Sequence, residues 1–364
     1  MAISYAAKGK KRVGREQMFI KVWFLDFRAK PYLCNMPSTL SPELIYQLEQ
    51  LQERYTALNQ DLTAYAEGWR YSEFLTYWDY IHLDTLLTLQ NPKTAIPDEK
   101  IFIMYHQITE LYFRLCLHEY EQIALQENPT VEYLTKRVHR INRYFENLIK
   151  SFEVMVDGME LEQFLQFRLA LMPASGFQSV QYRMIEIAST QLKNLVVKHK
   201  RAEVKPDATV EDLMNVIYWR WGATESATGT KTLTLLQFEE KYNEHLAAHA
   251  RKFEHRNLWE VVNRLPEEDK NNATLIAELK ELDNNVNVNW PLMHYKSAVR
   301  YLQRKPSDIA ATGGTNWPKY LAPRLQRRIF FPELFTEQEL ENWGRGTVAN
   351  SAPMTPDPEQ PDQD

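Results

Sequence analysis

The chain has 364 residues, of which 44% are hydrophobic and 25% are charged, and its formal net charge is −5. This length suits one large domain or two ordinary ones, and the hydrophobic fraction suffices for a sizeable core. A slightly acidic chain lacks the basic excess typical of a nucleic-acid-binding surface, so we expect no nucleic-acid partner. Two cysteines occur, Cys34 and Cys116, the second within an apolar run. We therefore expect no disulfide framework and a reducing, cytoplasmic environment.

The two ends of the chain differ in composition from its middle. Residues 1–40 combine a basic stretch with "MFIKVWFLDF", in which Lys21 and Asp26 interrupt the apolar run. We predict a partly ordered N-terminal extension here, not a signal peptide. Residues 346–364 are rich in proline and aspartate and predict a disordered tail. The sequence contains no run of eighteen apolar residues, so we expect no membrane span.

Residues 41–345 are predicted to form one helical domain. Ser41 suits an N-cap with Pro42 at the first helical position. Apolar residues at three- and four-residue spacing predict further helices at 70–90, 98–126, 131–157, 160–171, 177–200, 208–222, 232–264, 273–282 and 286–304. Strand signals are scarce, and the best of them, "TKTLTL" at 230–235, is weak. The predicted fold class is therefore all-α, a large helical bundle.

The first unusual segment is "IFIMYHQITELYFRLCLH" at residues 101–118. Phe102, His106 and Glu110 are four residues apart and share one face of the predicted helix. The remaining faces are apolar, which predicts a helix buried on all sides. A buried imidazole needs hydrogen-bond partners, one of which Glu110 is able to supply. Spacing alone leaves two interpretations open, a satisfied core histidine, which is the commoner case, or a ligand-facing one.

A second segment, "FLQFRLALMPASGFQS" at 164–179, places Phe164 and Arg168 four residues apart on an amphipathic helix. Ser175 and Gly176 then open the next helix. A guanidinium group beside free helix N–H groups suits a carboxylate ligand. The alternative is a structural ion pair between Arg168 and a nearby glutamate.

Two histidine patterns raise the question of a metal. His245 and His249 lie one helical turn apart, but their flanks are so polar that we predict a solvated helix face instead of a zinc site. His294 follows Trp290 by one turn among apolar neighbours, a setting that also suits an axial haem ligand. "ATGGT" at 311–315 is either a plain turn or a flexible loop near a ligand.

Taken together and in chain order, these segments resemble the tryptophan 2,3-dioxygenase family of haem enzymes. The resemblance covers most of residues 70–321. It lies in "YWDYIHLDTLL" (77–87), "PDEKIFIMYHQITELYFRLCLHE" (97–119), "FLQFRLALMPASGFQS" (164–179), "WPLMHYKSAVR" (290–300) and "ATGGTNWPKYL" (311–321). No single segment is specific, but their combination and order are.

The resemblance implies a haem b cofactor in the core of the bundle. His294 is then expected to be the proximal ligand of the iron, with Trp290 beside the haem. Ser175 and Gly176 are expected to face the haem edge and its propionates.

The resemblance also implies a substrate pocket on the opposite face of the haem. His106 is expected to hydrogen-bond the indole N–H of the substrate, and Phe102 to form a wall of the pocket. Phe164 is expected to pack on the substrate. Arg168 is expected to bind the carboxylate of the amino acid, and Thr312 to contact its ammonium and carboxylate groups.

Tyr77 and Tyr80 match two tyrosines that, in this family, complete the pocket of a neighbouring subunit, so a homotetramer is expected. The implied reaction inserts both atoms of O2 across the indole C2–C3 bond of L-tryptophan. Its product is N-formyl-L-kynurenine, in the kynurenine pathway of tryptophan degradation. Two alternatives remain: a related haem-dependent monooxygenase acting on tyrosine or a substituted tryptophan, and a helical scaffold without catalysis.

Overall fold

The computed structural model describes residues 40–69, 71, 76–172, 174–224, 230–302 and 322–344. Thr312, the predicted tail and residues 1–39 of the predicted extension lie outside these ranges. Over the described ranges, β pairing is limited to two isolated bridges, Val196 with Ile217 and Thr224 with Lys231. The all-α prediction is therefore confirmed, and "TKTLTL" leads into a helix, not a strand.

The α-helices are α1 Pro42–Ala57, α2 Leu62–Trp69, α3 Tyr77–Tyr80, α4 Leu83–Leu86, α5 Asp98–Leu125, α6 Val131–Ser151, α7 Glu153–Val156, α8 Leu161–Phe167, α9 Val180–Ser189, α10 Val210–Asn215, α11 Tyr218–Gly222, α12 Leu233–Phe253, α13 Leu258–Asn263, α14 Glu267–Lys270, α15 Ala273–Asn284, α16 Trp290–Leu302, α17 Pro323–Gln326 and α18 Glu337–Glu341. Short 3-10 helices cover Arg168–Leu171, Gly176–Gln178, Leu192–Leu195, Lys198–Glu203 and Pro332–Leu334, and a π-helical turn covers Asn285–Asn289. Among the described helices, none combines the length and apolar character that crossing a membrane requires.

The chain divides into two compact units, residues 1–83 and 84–364. In the first unit, α1 begins as predicted, because the Ser41 hydroxyl accepts a hydrogen bond from the Leu44 N–H at 3.2 Å. This side chain satisfies one of the N–H groups that every helix N-terminus leaves unpaired. Tyr55 of α1 and Tyr65 of α2 pack edge to face, with ring centroids 4.9 Å apart.

The core of the second unit forms where α5, α6, α9 and α15 pack together. The clearest apolar stripe is on α6, where Leu134, Val138, Ile141, Phe145 and Leu148 are fully buried. Their spacing of three and four residues places them on one face of the helix. Burial of each such side chain stabilises the fold by roughly 1.5–3 kcal/mol.

The prediction that the helix around His106 is buried on all sides is wrong. Met104, Ile108, Leu111 and Leu115 of α5 are 39–55% exposed. Their spacing puts them on one side of the helix, so α5 contributes only its other side to the core of this chain. We call these four residues the α5 stripe.

The predicted break between helices at 282 and 286 is absent. The chain continues from α15 through the π-helical turn into α16 without leaving helical geometry. A π turn inserts an extra residue and so rotates the side chains that follow it, and such turns are frequent at functional sites. Pro291 lies just after this turn and has no N–H to donate. The changed hydrogen-bond pattern of the π turn accommodates this missing donor.

Candidate active site

A cavity of about 300 Å³ lies in the second unit, within the size range of ligand pockets. It is bordered by residues of α5, α8, the Ser175 segment and α16. Among the residues that line it are seven predicted site residues: Phe102, His106, Phe164, Ser175, Gly176, Trp290 and His294. The fold therefore collects side chains from four separate sequence segments around one space.

His294 presents one ring nitrogen to the protein and leaves the other for the cavity. Its Nδ1 lies 3.2 Å from the carbonyl oxygen of Trp290, one turn earlier on α16. A carbonyl only accepts, so Nδ1 carries the proton and Nε2 has the lone pair. Burial lowers the pKa of His294 to about 4, which keeps the ring neutral at neutral pH. A neutral imidazole oriented by a backbone carbonyl is the form that binds metals.

His106 repeats this arrangement on α5. Its Nδ1 lies 2.8 Å from the carbonyl oxygen of Phe102, so its Nε2 is also a hydrogen-bond acceptor. The ring borders open space, yet the protein atoms around it desolvate it and lower its pKa. Glu110, the partner considered from the sequence, accepts instead from the Gln181 side chain at 2.8 Å. His106 is thus a neutral acceptor at neutral pH.

Aromatic rings surround both histidines. The Phe102 and His106 ring centroids are 4.1 Å apart, and the Phe102 and Phe164 centroids are 6.4 Å apart. On the other side, the His294 ring lies 4.4 Å from Phe152 and 4.7 Å from Trp290. Such contacts restrict rotation of the histidine rings, and the aromatic surface favours flat, apolar ligands.

Gly176 leaves space at the edge of the cavity. A Cβ atom built on it would meet none of the described atoms within 4 Å, and its φ angle does not require glycine. The residue therefore provides room, not backbone freedom. The turn is held by a hydrogen bond of 3.1 Å from the Ser175 N–H to the Gln178 side chain. A side chain at position 176 would enter this open space beside the cavity.

A buried polar cluster on the cavity wall was not predicted from the sequence. Arg183 and Arg328 both form ion pairs with Glu186, at 2.9 and 2.7 Å. The Tyr218 hydroxyl donates to Glu186 at 2.5 Å and accepts from both guanidinium groups. Arg183, Tyr218 and Arg328 line the cavity. We call these four residues the arginine cluster, which brings positive charge to the ligand space.

Four predicted residues are not placed on this cavity. Arg168 begins the 3-10 turn after α8 and is only 6% exposed, and it is not among the described residues that line the cavity. Burial lowers its pKa. Tyr77 and Tyr80 belong to the first unit and are 70% and 74% exposed. Thr312 lies outside the described residues.

The predicted solvated face at His245 and His249 is only half correct. His245 is exposed, but His249 is buried and its Nε2 donates to the Met184 carbonyl at 3.1 Å. No group of three potential metal-ligating side chains occurs in the part of the chain that the structure describes. His249 is therefore a buried core histidine, although its polar neighbours in the sequence predicted an exposed one.

His249 makes the stability of the fold depend on pH. Burial lowers its pKa to about 4, below the unfolded value, so between pH 6.5 and 4 the unfolded state binds a proton that the folded state does not. Stability should therefore rise with pH across this window. In His249→Gln, which keeps the donor to Met184, the slope of unfolding free energy against pH should be shallower by about 1.4 kcal/mol per unit. Denaturant titrations at several pH values test this, and an unchanged slope would contradict it.

Fold and site together define an all-α protein whose cavity suits a flat ligand that carries carboxylates. Comparison with known proteins agrees with this class. The family profile described as tryptophan 2,3-dioxygenase matches residues 66–218. Tryptophan 2,3-dioxygenases of Polaromonas naphthalenivorans and Bradyrhizobium diazoefficiens are 28% and 29% identical, each match covering 73% of this chain and 91% or 92% of the relative. A third, from Ruegeria sp., is 39% identical over 36% of this chain and 47% of its own length.

These matches support membership of the tryptophan 2,3-dioxygenase family and indicate an oxidoreductase.

Proposed function

We propose that the protein is a haem-dependent dioxygenase that converts L-tryptophan and O2 to N-formyl-L-kynurenine. The observation that carries the proposal is the common cavity bordered by His106 and His294, each with Nδ1 held by a backbone carbonyl. Family membership supports the reaction class.

The residues on the cavity fit a haem. The Nε2 lone pair of His294 suits the iron, since haem iron is commonly held by one neutral histidine whose other nitrogen donates to the protein. Phe152 and Trp290 pack on the His294 ring and hold its orientation. Gly176 leaves room at the edge, and Arg183 and Arg328 suit the two propionates, because guanidinium groups pair well with carboxylates. When bound, the haem supplies the redox-active iron that activates O2.

The opposite wall of the cavity suits an indole. Phe102 and Phe164 provide apolar contacts, and the Nε2 atom of His106 accepts the indole N–H. Because desolvation by the surrounding protein atoms lowers the pKa of His106, the ring stays an acceptor and does not donate to the substrate. Its role is to orient the substrate, and the aromatic walls exclude water from the reacting carbons. Arg168 and Thr312 are proposed to bind the amino-acid carboxylate and ammonium groups.

We also propose that the protein acts as a homo-oligomer, with a tetramer as the expected form. The α5 stripe is an apolar surface that this chain alone leaves exposed, which is typical of a protein contact. The exposed Tyr77 and Tyr80 are proposed to complete the pocket of a neighbouring subunit. Light scattering of the purified protein tests the expected mass, and a monomer would contradict this part of the proposal.

The reaction is tested with the purified, haem-loaded protein. After anaerobic reduction, addition of tryptophan and air should produce the absorbance of N-formylkynurenine. With ¹⁸O2, mass spectrometry should find two labelled oxygen atoms in the product. One labelled atom would indicate a monooxygenase, and the absence of both product and a Soret band after haem supply would indicate a non-catalytic scaffold.

Replacement of His106 by alanine should impair the orientation of the substrate but not the binding of haem. Loss of one neutral hydrogen bond costs about 1 kcal/mol, so kcat/KM for tryptophan should fall roughly fivefold. With 1-methyltryptophan, which has no indole N–H, the same replacement should change kcat/KM much less. Loss of haem in His106→Ala, or equal losses with both substrates, would contradict the proposed role.

A further inference from the structure

The arginine cluster depends on a residue that the chain supplies from its C-terminal part. Arg328 reaches the cavity from the segment after α17, 142 positions beyond its ion-pair partner Glu186. Its guanidinium group also lies over the Tyr218 ring, 4.8 Å from the centroid. A long side chain keeps one such arrangement only if its backbone is held in place.

The backbone beside Arg328 is held from one side by a buried carboxylate. Asp283 of α15 accepts hydrogen bonds from the N–H groups of Phe330 and Phe331, at 2.8 and 3.0 Å. Asp283, Phe330 and Phe331 are all fully buried. Both bonds end on the same oxygen, Oδ2, while Oδ1 accepts from the Asn287 side chain at 2.7 Å.

The same backbone is held from the other side as well. The Phe330 carbonyl accepts from the Thr190 hydroxyl at 2.5 Å and from the Asn194 side chain at 3.2 Å. On the other flank of Arg328, Arg327 adopts a left-handed conformation with φ 45° and ψ 47°. Non-glycine residues avoid this region unless their surroundings stabilise it. The segment is thus clamped at a defined position, not merely packed.

We propose that Asp283 is a positioning residue that holds Arg328 on the cavity wall by binding the Phe330 and Phe331 backbone amides. Asp283 does not line the cavity, so its effect on the ligand passes through Arg328. This inference rests on the proposed haem site, where Arg328 faces a propionate. It makes the segment from Pro323 to Phe331 a part of the cofactor site.

The test measures how fast haem leaves the holoprotein for excess apomyoglobin. Asp283→Ala and Arg328→Gln should each accelerate haem loss about tenfold, as is typical of groups that support a ligand indirectly. In the double variant the rate should match that of Arg328→Gln alone, because both changes remove the same contact. Multiplying effects, or an unchanged rate in Asp283→Ala, would overturn the inference.

A conservative variant separates positioning from general stability. In Asp283→Asn, the amide oxygen is still able to accept from both backbone N–H groups, and Asn287 is able to turn its amide to match. Haem loss should therefore stay near the wild-type rate in Asp283→Asn. A rate as fast as that of Asp283→Ala would contradict the clamp.

Glu339→Gln is the matched control, because Glu339 joins the C-terminal part to Lys280 of α15 through an exposed ion pair of 2.6 Å. Exposed pairs contribute little to stability, so haem loss should not change.

Should Asp283→Ala fail to fold, Asn194→Ala loosens the same peptide and should accelerate haem loss two- to fivefold; an unchanged rate would overturn the inference. A wild type that binds no haem would overturn the proposed function as well, whereas normal haem loss in every variant would overturn this inference alone.

Discussion

Replacement of His294 by alanine is expected to give a folded protein that retains little haem and has no measurable dioxygenase activity. The imidazole is the group on α16 whose Nε2 lone pair is directed away from the protein hydrogen bond, so its loss removes the proposed iron ligand. The ratio of Soret to protein absorbance measures haem content, and circular dichroism measures folding. Unchanged haem content in His294→Ala would contradict the assignment.

The control for this prediction is a second buried histidine of the same chain. His249 also has a pKa of about 4 and donates to a backbone carbonyl, but it does not line the cavity. His249→Gln should therefore retain its haem. Because the His294 ring also packs on Phe152 and Trp290, His294→Gly with added imidazole distinguishes lost ligation from lost packing. Return of the Soret band with imidazole is expected.

Replacement of Arg168 by alanine should raise KM for tryptophan on the order of 100-fold, since loss of one partner of a buried charge pair costs roughly 2–5 kcal/mol. Tryptamine, which lacks the carboxylate, should be affected much less. The two substrates thus distinguish a carboxylate clamp from a structural role. Arg168 is buried but is not among the described residues on the cavity, which makes this the most discriminating test of the predicted substrate site.

Arg300→Ala provides the comparison for Arg168. Arg300 is an exposed arginine of α16 whose guanidinium group lies 5.6 Å from the Tyr301 ring centroid. Its removal should change KM for either substrate little, because exposed cations contribute weakly. Equal losses for tryptophan and tryptamine in Arg168→Ala would show that Arg168 supports the fold and does not bind the carboxylate.

Local signals in the sequence predicted some elements closely. The helix predicted at 98–126 is found at Asp98–Leu125, because Pro97 and a long periodic run define it without help from other segments. The helix predicted at 177–200 instead ends at Ser189 and continues as 3-10 turns. At the end of this helix, the Thr190 hydroxyl donates to the Phe330 carbonyl. No residue near Thr190 in the sequence predicts this contact.

The exposure of the α5 stripe was missed for a related reason. An apolar residue predicts burial but does not specify whether the burial is within one chain or between chains. Ile108 and Leu111 are apolar in the sequence and exposed in this chain. Hydrophobic pattern therefore identified the helix correctly and its surroundings incorrectly.

By itself, the sequence determined that the chain is helical, the bounds of its long helix at Asp98–Leu125, and where the two cavity imidazoles lie on their helices. In each case the histidine Nδ1 bonds the backbone carbonyl of the residue four positions earlier on the same helix. The orientation of the ring is therefore set locally. The tertiary structure alone decided that Tyr218 and Arg328 meet Arg183 and Glu186 of α9 on one wall. Tyr218 and Arg328 lie 32 and 142 positions from Glu186 and join it only after the whole chain has packed, and no periodicity records such distant contacts.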